Sequence, residues 1–224
     1  MSAKKWVGFP VKEGNISRQA HADLPEGTFE RELGREGFFG PVTQMHHKHA
    51  PTGWVDWEGP LRPHAFDLNR LFADVESPFD AMTVLENADC EIKVWSLSKD
   101  MPDLARNSDG DQLLFVHEGS GEFFCDYGHI SVSEGDYVVI PRGTAWRIEV
   151  QDRLRVYDIQ NTDGAYMLPD RGLLGPNALF DPATLQHPRI DDAFVRQQTE
   201  DRWRIRVKRA GQVSTVTYPF NPLD

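Results

Sequence analysis

The sequence predicts a mainly β protein, a jelly-roll barrel preceded by an irregular N-terminal arm. Two observations predict this fold class. The 224 residues include 18 Gly and 15 Pro, which favours short strands joined by turns over a helical bundle. From residue 81 onward, short runs rich in Val, Ile, Phe, Tyr and Trp recur between turn residues, as in an antiparallel barrel. The length suffices for one large domain or two small ones.

The predicted arm covers residues 1–80 and the predicted barrel covers residues 81–224. The arm has no clear hydrophobic period, and aromatic residues such as Trp54 and Trp57 lie between its Gly and Pro breaks. Aromatic residues in such segments pack over a neighbouring core or subunit, so we expect an irregular arm with short strands. A short helix is predicted near Phe66–Phe72, with Asp67 as its N-cap.

The barrel strands follow one another with turns every few residues. Trp146–Val150 shows the alternation of a half-buried strand, because Arg147 and Glu149 share one face. Turns are predicted at 118–121, 127–129 and 133–136, and a loop with a short helix at Asp191–Thr199 is predicted over 161–200. The predicted strands are Met82–Leu85, Glu91–Leu97, Gln112–His117, Glu122–Asp126, His129–Val132, Tyr137–Ile140, Ala145–Val150, Leu154–Gln160, Trp203–Arg209 and Gln212–Tyr218.

Charge and cysteine content exclude several classes of protein. The net charge of −11 argues against a nucleic-acid partner, which would select clustered Lys and Arg. Cys90 and Cys125 are too few for a disulfide scaffold and fit no zinc knuckle. The N-terminus has no apolar signal segment, and the longest apolar runs, Leu113–Val116 and Tyr137–Ile140, are too short to span a membrane. We therefore expect a soluble, cytoplasmic protein without a membrane partner.

Two glycine signatures lie in the predicted barrel. In the first, Gln112 is separated from Gly119 by six residues. In the second, five residues separate Gly135 from Pro141, and Gly143 and Trp146 follow. This pair of signatures resembles the two conserved boxes of the cupin superfamily, a family of double-stranded β-barrels. The resemblance implies that Gly119, Gly135, Pro141 and Gly143 form barrel corners.

The same resemblance makes Gln112 and Trp146 informative. Metal-binding cupins place a carboxylate and a histidine at these two positions, together with an H-x-H pair in the first box. A neutral amide and an indole are poor ligands for iron, manganese or zinc. We therefore expect these positions to be degenerate and the barrel to hold no metal, with Trp146 filling the space of the ion.

Four segments resemble a narrower family, the N-terminal half of homogentisate 1,2-dioxygenase. They are residues 58–63, 107–121, 135–144 and 217–224. The resemblance implies a protein of two cupin-like halves that opens the ring of homogentisate with Fe(II) and O2 in tyrosine and phenylalanine breakdown. It places all the iron ligands in the second half and implies a trimer-based homo-oligomer. This chain would then be the non-catalytic N-terminal half, holding no iron itself and lacking the catalytic C-terminal half.

Two other functions remain open at this point. The chain could be a non-enzymatic cupin that binds a small ligand or a partner protein in its barrel. It could also be a different metal-dependent cupin enzyme whose ion is bound by His46, His47 and His49. His47 and His49 share a face of an extended segment, but Lys48 lies between them and no carboxylate completes the set, which favours an exposed or inter-subunit basic patch.

Two further expectations concern polar residues of the barrel. Residues 202–209 alternate between apolar and basic side chains. This pattern predicts a strand with a solvated cationic face, suited to an acidic partner or a subunit contact. His129 lies in a predicted tight turn and is expected to face solvent.

Overall fold

The structure is a computed structural model that describes residues 22–36, 39–168 and 181–224. The chain divides into two compact units, residues 1–65 and residues 66–224. Residues 1–21 of the predicted arm and residues 169–180 of the predicted loop lie outside the described residues. Over the described ranges, none of the helices has the length and apolar character needed to cross a membrane.

The first unit contains an antiparallel hairpin. Strand β1 (Phe29–Glu36) pairs with strand β2 (Phe39–His47), and the register shifts between Gly34 and Glu36. These strands of eight and nine residues are longer than the short strands expected for the arm. Most of residues 48–65 is irregular, and there Trp54 and Trp57 pack edge to face with ring centroids 5.6 Å apart.

The second unit is a double-stranded β-barrel, so the predicted fold class is confirmed. Over the described residues its sheet has nine strands, and its main path runs in the order β11-β10-β5-β9-β4-β3. Strand β6 pairs with β7, β8 and β9. The strands are β3 (Met82–Glu86), β4 (Cys90–Leu97), β5 (Leu104–Asn107), β6 (Asp111–Cys125), β7 (Gly128–Ser133), β8 (Tyr137–Ile140), β9 (Ala145–Asn161), β10 (Trp203–Arg209) and β11 (Gln212–Tyr218).

Two predicted breaks between strands are wrong. Strand β6 continues through the predicted turn at 118–121, and β9 continues through residues 151–153. Both strands stay paired because the register shifts at bulges on either side of Gly119. Gly119 has φ of +91°, and a Cβ there would lie 1.8 Å from the carbonyl oxygen of Arg153. Glycine therefore marks a bend within a long strand here, although the same residue also signals a turn.

Strand β5 is an element that the sequence patterns did not predict. It runs parallel to β10, with Ile205 opposite Leu104, and antiparallel to β9, with Ala105 opposite Trp146. Its four residues are too few to show a hydrophobic period. This short strand joins the C-terminal hairpin to the barrel.

The helices are short and begin at acidic or hydroxyl caps. The Asp67 carboxylate accepts a hydrogen bond from the Asn69 amide at 3.2 Å, so the predicted N-cap is present. Helix α1 (Asp192–Arg196) is shorter than the predicted helix, and Asp191 caps it. Single 3-10 turns occupy Leu68–Arg70, Pro78–Asp80 and Pro182–Thr184.

The second unit has two apolar clusters on opposite faces of the same strands. One fills the barrel; the other packs α1 and the C-terminal segment against the outside of the barrel. The barrel cluster consists of Trp95, Leu97, Met101, Ala105, Leu114, Val116, Phe123, Cys125, Val132, Ile140, Trp146, Ile148, Leu154 and Val156. The outer cluster consists of Leu104, Phe124, Ala145, Phe194, Ile205 and Leu223.

Candidate functional site

Gln112 and Trp146, the two degenerate ligand positions of the sequence analysis, are both buried in the barrel. Gln112 is 2% exposed, on β6 opposite Gln160 of β9. Trp146 is fully buried, and its ring stacks on Phe123 with centroids 5.5 Å apart. Its indole nitrogen can donate a hydrogen bond but offers no lone pair to a metal.

The predicted corner residues lie at changes of strand direction or register. Gly135 and Gly143 have φ of +93° and +89°, and Gly119 lies at the bulge of β6. Pro141 and Gly143 belong to the connection from β8 to β9, where the Thr144 amide donates to the Pro141 carbonyl at 3.1 Å. Their assignment as cupin corners by family analogy stays a prediction.

The side-chain amide of Gln112 is hydrogen-bonded to a carboxyl group of the protein itself. Its Nε2 donates to Oδ2 of Asp158 at 2.9 Å. The other oxygen of each side chain, Oε1 of Gln112 and Oδ1 of Asp158, is buried and has no hydrogen-bond partner among the described residues. Two unpartnered oxygens in one buried pair are unusual, because buried polar atoms are normally hydrogen-bonded.

This pair belongs to a polar layer at one end of the barrel interior. The polar layer and the apolar barrel cluster lie on the inward faces of the same strands, at different positions along them. Its residues are Thr83, Glu91, Lys93, Asn107, Gln112, Asp158, Gln160 and Lys208. The barrel interior is therefore polar at one end and apolar along the rest.

Glu91 connects the charged groups of the polar layer. Its Oε1 accepts from Thr83 Oγ1 at 2.6 Å and lies 3.2 Å from Nζ of Lys93, while its Oε2 accepts from Nζ of Lys208 at 2.9 Å. Burial raises the pKa of Glu91, but the hydrogen bonds from Thr83 and Lys208 and the charge of Lys93 outweigh it, so the pKa lies below its usual value. Glu91 is therefore held ionised.

Lys208 extends the network to two amide side chains. Its Nζ also donates to Oε1 of Gln160 at 3.0 Å, and the same oxygen accepts from Nδ2 of Asn107 at 2.9 Å. Each of these side chains is buried. The network thus links β3, β4, β5, β9 and β10 through side chains as well as through the sheet.

Asp158 is the titratable group at the centre of the layer. It lies directly opposite Lys93 in the pairing of β9 with β4. Burial raises the pKa of Asp158 to about 6, although Lys93 and the hydrogen bond from Gln112 oppose the shift. The carboxyl group therefore changes protonation near pH 6, and its protonated form would have a hydrogen to donate.

The residues of the polar layer do not fit the iron that the cupin resemblance suggests. Iron sites use imidazole and carboxylate ligands with open positions, and this layer contains no histidine. Lys93 and Lys208 would repel a metal cation, and the carboxylate of Glu91 is already bound by both. Over the described ranges, no group of three or more His, Cys, Asp or Glu side chains is arranged to hold a metal ion.

The histidine cluster of the first unit lies at the end of the hairpin. His46 and His47 are the last residues of β2, so they point to opposite faces, and His49 follows in a bend. His47 pairs in register with Phe29, and His46 pairs with Glu30. The alternative in which these three histidines bind an ion is therefore not favoured by their placement on the strand.

The basic face of β10 is solvated only in part. Lys208 points into the polar layer, Arg206 forms a two-pronged ion pair with Asp80 that includes a 2.7 Å contact of Nη2 with Oδ1, and Arg204 lies 3.4 Å from Asp103. The prediction holds for Arg202 and Arg204, which are exposed, and it was wrong for Arg206 and Lys208 because their acidic partners lie far away in the sequence. One sequence signal could have indicated the buried partners. Glu91 and Lys93 lie on the same face of their predicted strand as the apolar Trp95 and Leu97.

His129 is also not a solvent-facing turn residue. Its Nδ1 lies 2.9 Å from Asp191 and its Nε2 lies 2.7 Å from Glu122. Burial lowers the pKa of His129, but hydrogen bonds to the two carboxylates outweigh it and raise the pKa above its usual value. His129 therefore joins β6 and β7 to the N-cap of helix α1.

Comparison with known proteins identifies the family. A family model described as the homogentisate 1,2-dioxygenase N-terminal family matches residues 79–224. The chain belongs to this family. The family predicted from the sequence is thus confirmed, and three of the four resembling segments, 107–121, 135–144 and 217–224, lie inside the matched region. The polar layer, the apolar cluster, Gln112 and Trp146 lie there too.

Relatives of known name cover much of the chain. The homogentisate 1,2-dioxygenase of Sinorhizobium fredii is 28% identical over 220 residues, which are 89% of this chain and 47% of the relative. That of Rhodopseudomonas palustris strain BisA53 is 28% identical over 80% of this chain and 39% of the relative. A putative dioxygenase of Saccharolobus solfataricus is 26% identical over 68% of this chain and 44% of the relative. The chain spans less than half the length of these curated relatives.

Solved structures also resemble part of the chain. A cupin 2 conserved barrel domain protein of Leptotrichia buccalis matches 48% of this chain and 54% of its own, with 25% identity and a TM-score of 0.38. A double-stranded β-helix protein of Klebsiella pneumoniae matches 47% of this chain and 95% of its own, with 15% identity and a TM-score of 0.38.

Proposed function

We propose that this chain is the non-catalytic barrel of a homogentisate 1,2-dioxygenase-type protein. A catalytic barrel would hold Fe(II) and open the ring of homogentisate with O2, and the barrel described above would support it. The observation that carries this proposal is the barrel interior. Gln112 and Trp146, which the cupin resemblance assigns to ligand positions, offer an amide and an indole, and the carboxylate of Glu91 is already bound by Lys93 and Lys208.

In this proposal the residues of the chain have a structural role. Trp146 and Phe123 fill the barrel where a metal site would need open space, and Glu91 ties strands together through two lysines. Iron, where a catalytic barrel binds it, supplies open coordination positions for substrate and O2. The residues of this barrel neither bind iron nor move a proton of the substrate in this proposal.

An assay of the purified chain tests the non-catalytic role. We expect no homogentisate-dependent O2 uptake and no maleylacetoacetate when the chain is incubated aerobically with Fe(II) and homogentisate. The full-length Rhodopseudomonas palustris relative, assayed in the same buffer, is the positive control. Ring opening by the 224-residue chain alone would contradict the proposal.

A chimaera tests the assignment to this enzyme. In it, the matching N-terminal part of the Rhodopseudomonas palustris relative is replaced by this chain. We expect the chimaera to bind iron and to retain homogentisate ring opening, and a second chimaera carrying Trp146→Ala to be less stable. A folded, iron-loaded first chimaera without turnover would count against the assignment.

A second candidate function has one observation in its favour. The unpartnered buried oxygens of Gln112 and Asp158 would accept hydrogen bonds from a small polar ligand, as a non-enzymatic cupin would require. Native mass spectrometry of the purified chain tests this function, since a bound molecule that is lost in Gln112→Leu would support it. The trimer-based assembly and the cytoplasmic location stay predictions, tested by the solution mass and by cell fractionation.

A further inference from the structure

Helix α1 lies on the outside of the barrel, and side chains attach it there in its middle and at both ends. In the middle, Phe194 is 2% exposed and packs into the outer cluster. At the C-terminal end, Gln197 accepts a hydrogen bond from Nε of Arg147 at 3.3 Å. At the N-terminal end, Asp191 contacts His129 of β7. This last attachment depends on an imidazole, a group that titrates near neutral pH.

Both ring nitrogens of His129 contact carboxylates. Its Nδ1 lies 2.9 Å from Oδ2 of Asp191, and its Nε2 lies 2.7 Å from Oε2 of Glu122 on β6. Carboxylate oxygens accept hydrogen bonds and have no hydrogen to donate, whereas a neutral imidazole carries a single N–H. Only the imidazolium, which has two N–H groups, can donate to both carboxylates. The contacts of His129 therefore require its cationic form.

The surroundings of the ring also favour the cation. The ring of Phe124 stacks on His129 with centroids 4.7 Å apart, and an aromatic face attracts a cation. Burial lowers the pKa of His129, but the hydrogen bonds to Asp191 and Glu122 outweigh it, so the pKa lies above its usual value. The hydrogen bond from His129 lowers the pKa of Asp191 in turn. Asp191 is therefore held in its ionised, accepting form.

Other charged side chains lie on the elements around the ring. They are Arg147 and Glu149 on β9, Arg189 in the segment before α1, and Asp192 and Arg196 on α1. Arg147 is paired with Glu149 and lies across Phe124 from His129, because β6 runs between β9 and β7. Arg189 meets His129 through backbone hydrogen bonds. Among the described residues, the charges that shift the pKa of His129 are those of Asp191 and Glu122.

We propose that His129 is a pH-dependent latch, which as a cation fastens the N-terminal end of helix α1 to the barrel and on losing a proton loosens it. A neutral ring keeps one N–H, so one carboxylate would face a nitrogen lone pair instead of a donor. Glu122 is fixed within the sheet and also accepts from Oγ of Ser131 at 2.7 Å, whereas Asp191 lies in a connecting segment. Asp191 is therefore the partner that moves away.

The latch opens as the pH rises. Because the pKa of His129 is higher in the folded than in the unfolded chain, its contribution to stability is complete below the ordinary histidine pKa of about 6.5. The contribution is lost as the pH rises through the pKa of the folded state. Opening would weaken the seat of Phe194 and so uncover part of the outer cluster. The latch does not depend on the dioxygenase role proposed above.

Hydrogen exchange of the full chain measures the latch. The reporters are the amides of Arg189 and Val195, which donate to the carbonyls of His129 and Asp191. Between pH 6 and pH 9, after correction for base catalysis of exchange, we expect their protection to fall by about 10-fold or more, as for the loss of one hydrogen bond to a charged group. Strand β4 should keep its protection. The proposal is overturned if the reporters do not change, or if β4 loses as much.

Two substitutions and a matched control assign the effect. Asp191→Asn keeps a good cap for the amide of Phe194 but removes the charge, and His129→Gln removes the titrating group. Both variants should have less protection at pH 6 and little change up to pH 9. The control His117→Gln replaces an imidazole whose Nε2 contacts the neutral Asn69 at 3.0 Å, and it should behave as the unaltered chain. Full pH dependence in either latch variant, or its loss in the control, would refute the latch.

Discussion

The two ends of the barrel interior are built from the same strands but stabilised in different ways. Strands β4, β6 and β9 place Trp95, Val116 and Leu154 in the apolar cluster, and further along they place Lys93, Gln112 and Asp158 in the polar layer. The apolar end depends on close packing of large side chains. The polar end depends on particular pairs of charged and amide groups, so its stability should respond to pH and to the loss of a single charge.

The largest expected effect comes from the apolar end. Trp146→Ala removes a fully buried ring that stacks on Phe123, and we expect it to lower the free energy of unfolding by about 3–5 kcal/mol. Urea unfolding followed by circular dichroism measures the change. Trp146→Phe, which keeps an aromatic ring, is the control and should cost clearly less. Equal losses in the two variants would mean that packing is not what Trp146 contributes.

Next in size is the removal of the shared carboxylate of the polar layer. Glu91→Gln removes the carboxylate that contacts both Lys93 and Lys208, so we expect a loss of about 3 kcal/mol in the free energy of unfolding. The control is Glu86→Gln, an exposed residue opposite Glu91 in the pairing of β3 with β4. If Glu91→Gln behaves like that control, the polar layer is not stabilised through Glu91.

A pH series separates the two ends. The pKa of Asp158 rises from its ordinary value of 3.8 to about 6 in the folded protein, so the folded state binds this proton more tightly than the unfolded chain. As the pH rises from 3.8 to about 6, the contribution of Asp158 to the free energy of unfolding therefore falls. The total decrease is about 2–3 kcal/mol. We expect Asp158→Asn to remove this part of the decrease.

Thermal unfolding between pH 3.5 and pH 7 measures that difference, with about 2 kcal/mol as the expected separation of the profiles. Asp152→Asn, in which an exposed carboxylate is changed, serves as the control and should keep the profile of the unaltered chain. If the stability of the unaltered chain and that of Asp158→Asn depend on pH in the same way, burial does not raise the pKa of Asp158.

The smallest expected effect tests whether Glu91 is shared. Lys93→Met removes one cation but leaves Glu91 bound to Lys208 and Thr83, so we expect a loss of only about 1 kcal/mol. The fall in stability with pH should also extend to higher pH, since Lys93 lowers the pKa of Asp158 in the folded state. Lys99→Met, at an exposed lysine, is the control. A loss as large as that of Glu91→Gln would contradict the shared-carboxylate arrangement.

Much of the barrel could be predicted because its signals are local. Runs of β-branched and aromatic residues located eight of the nine barrel strands that the described residues form. The glycine spacing assigned Gln112 and Trp146 to cupin ligand positions, which stays a prediction. The predictions failed where one local pattern is compatible with two structures. Glycine at 119 predicts a turn or a bulge, and only the pairing of β6 with β9 selects the bulge.

The sequence by itself determined the fold class, the family and the absence of metal-ligand side chains at Gln112 and Trp146, since each depends on residue types at short spacings. The tertiary structure decided which face of each strand is inside. It brought Glu91, Asp158 and Lys208 together from strands far apart in the chain, and it paired Arg206 of β10 with Asp80. The physical reason is that alternation along a strand distinguishes its two faces, whereas only the folded sheet determines which residues each face contacts.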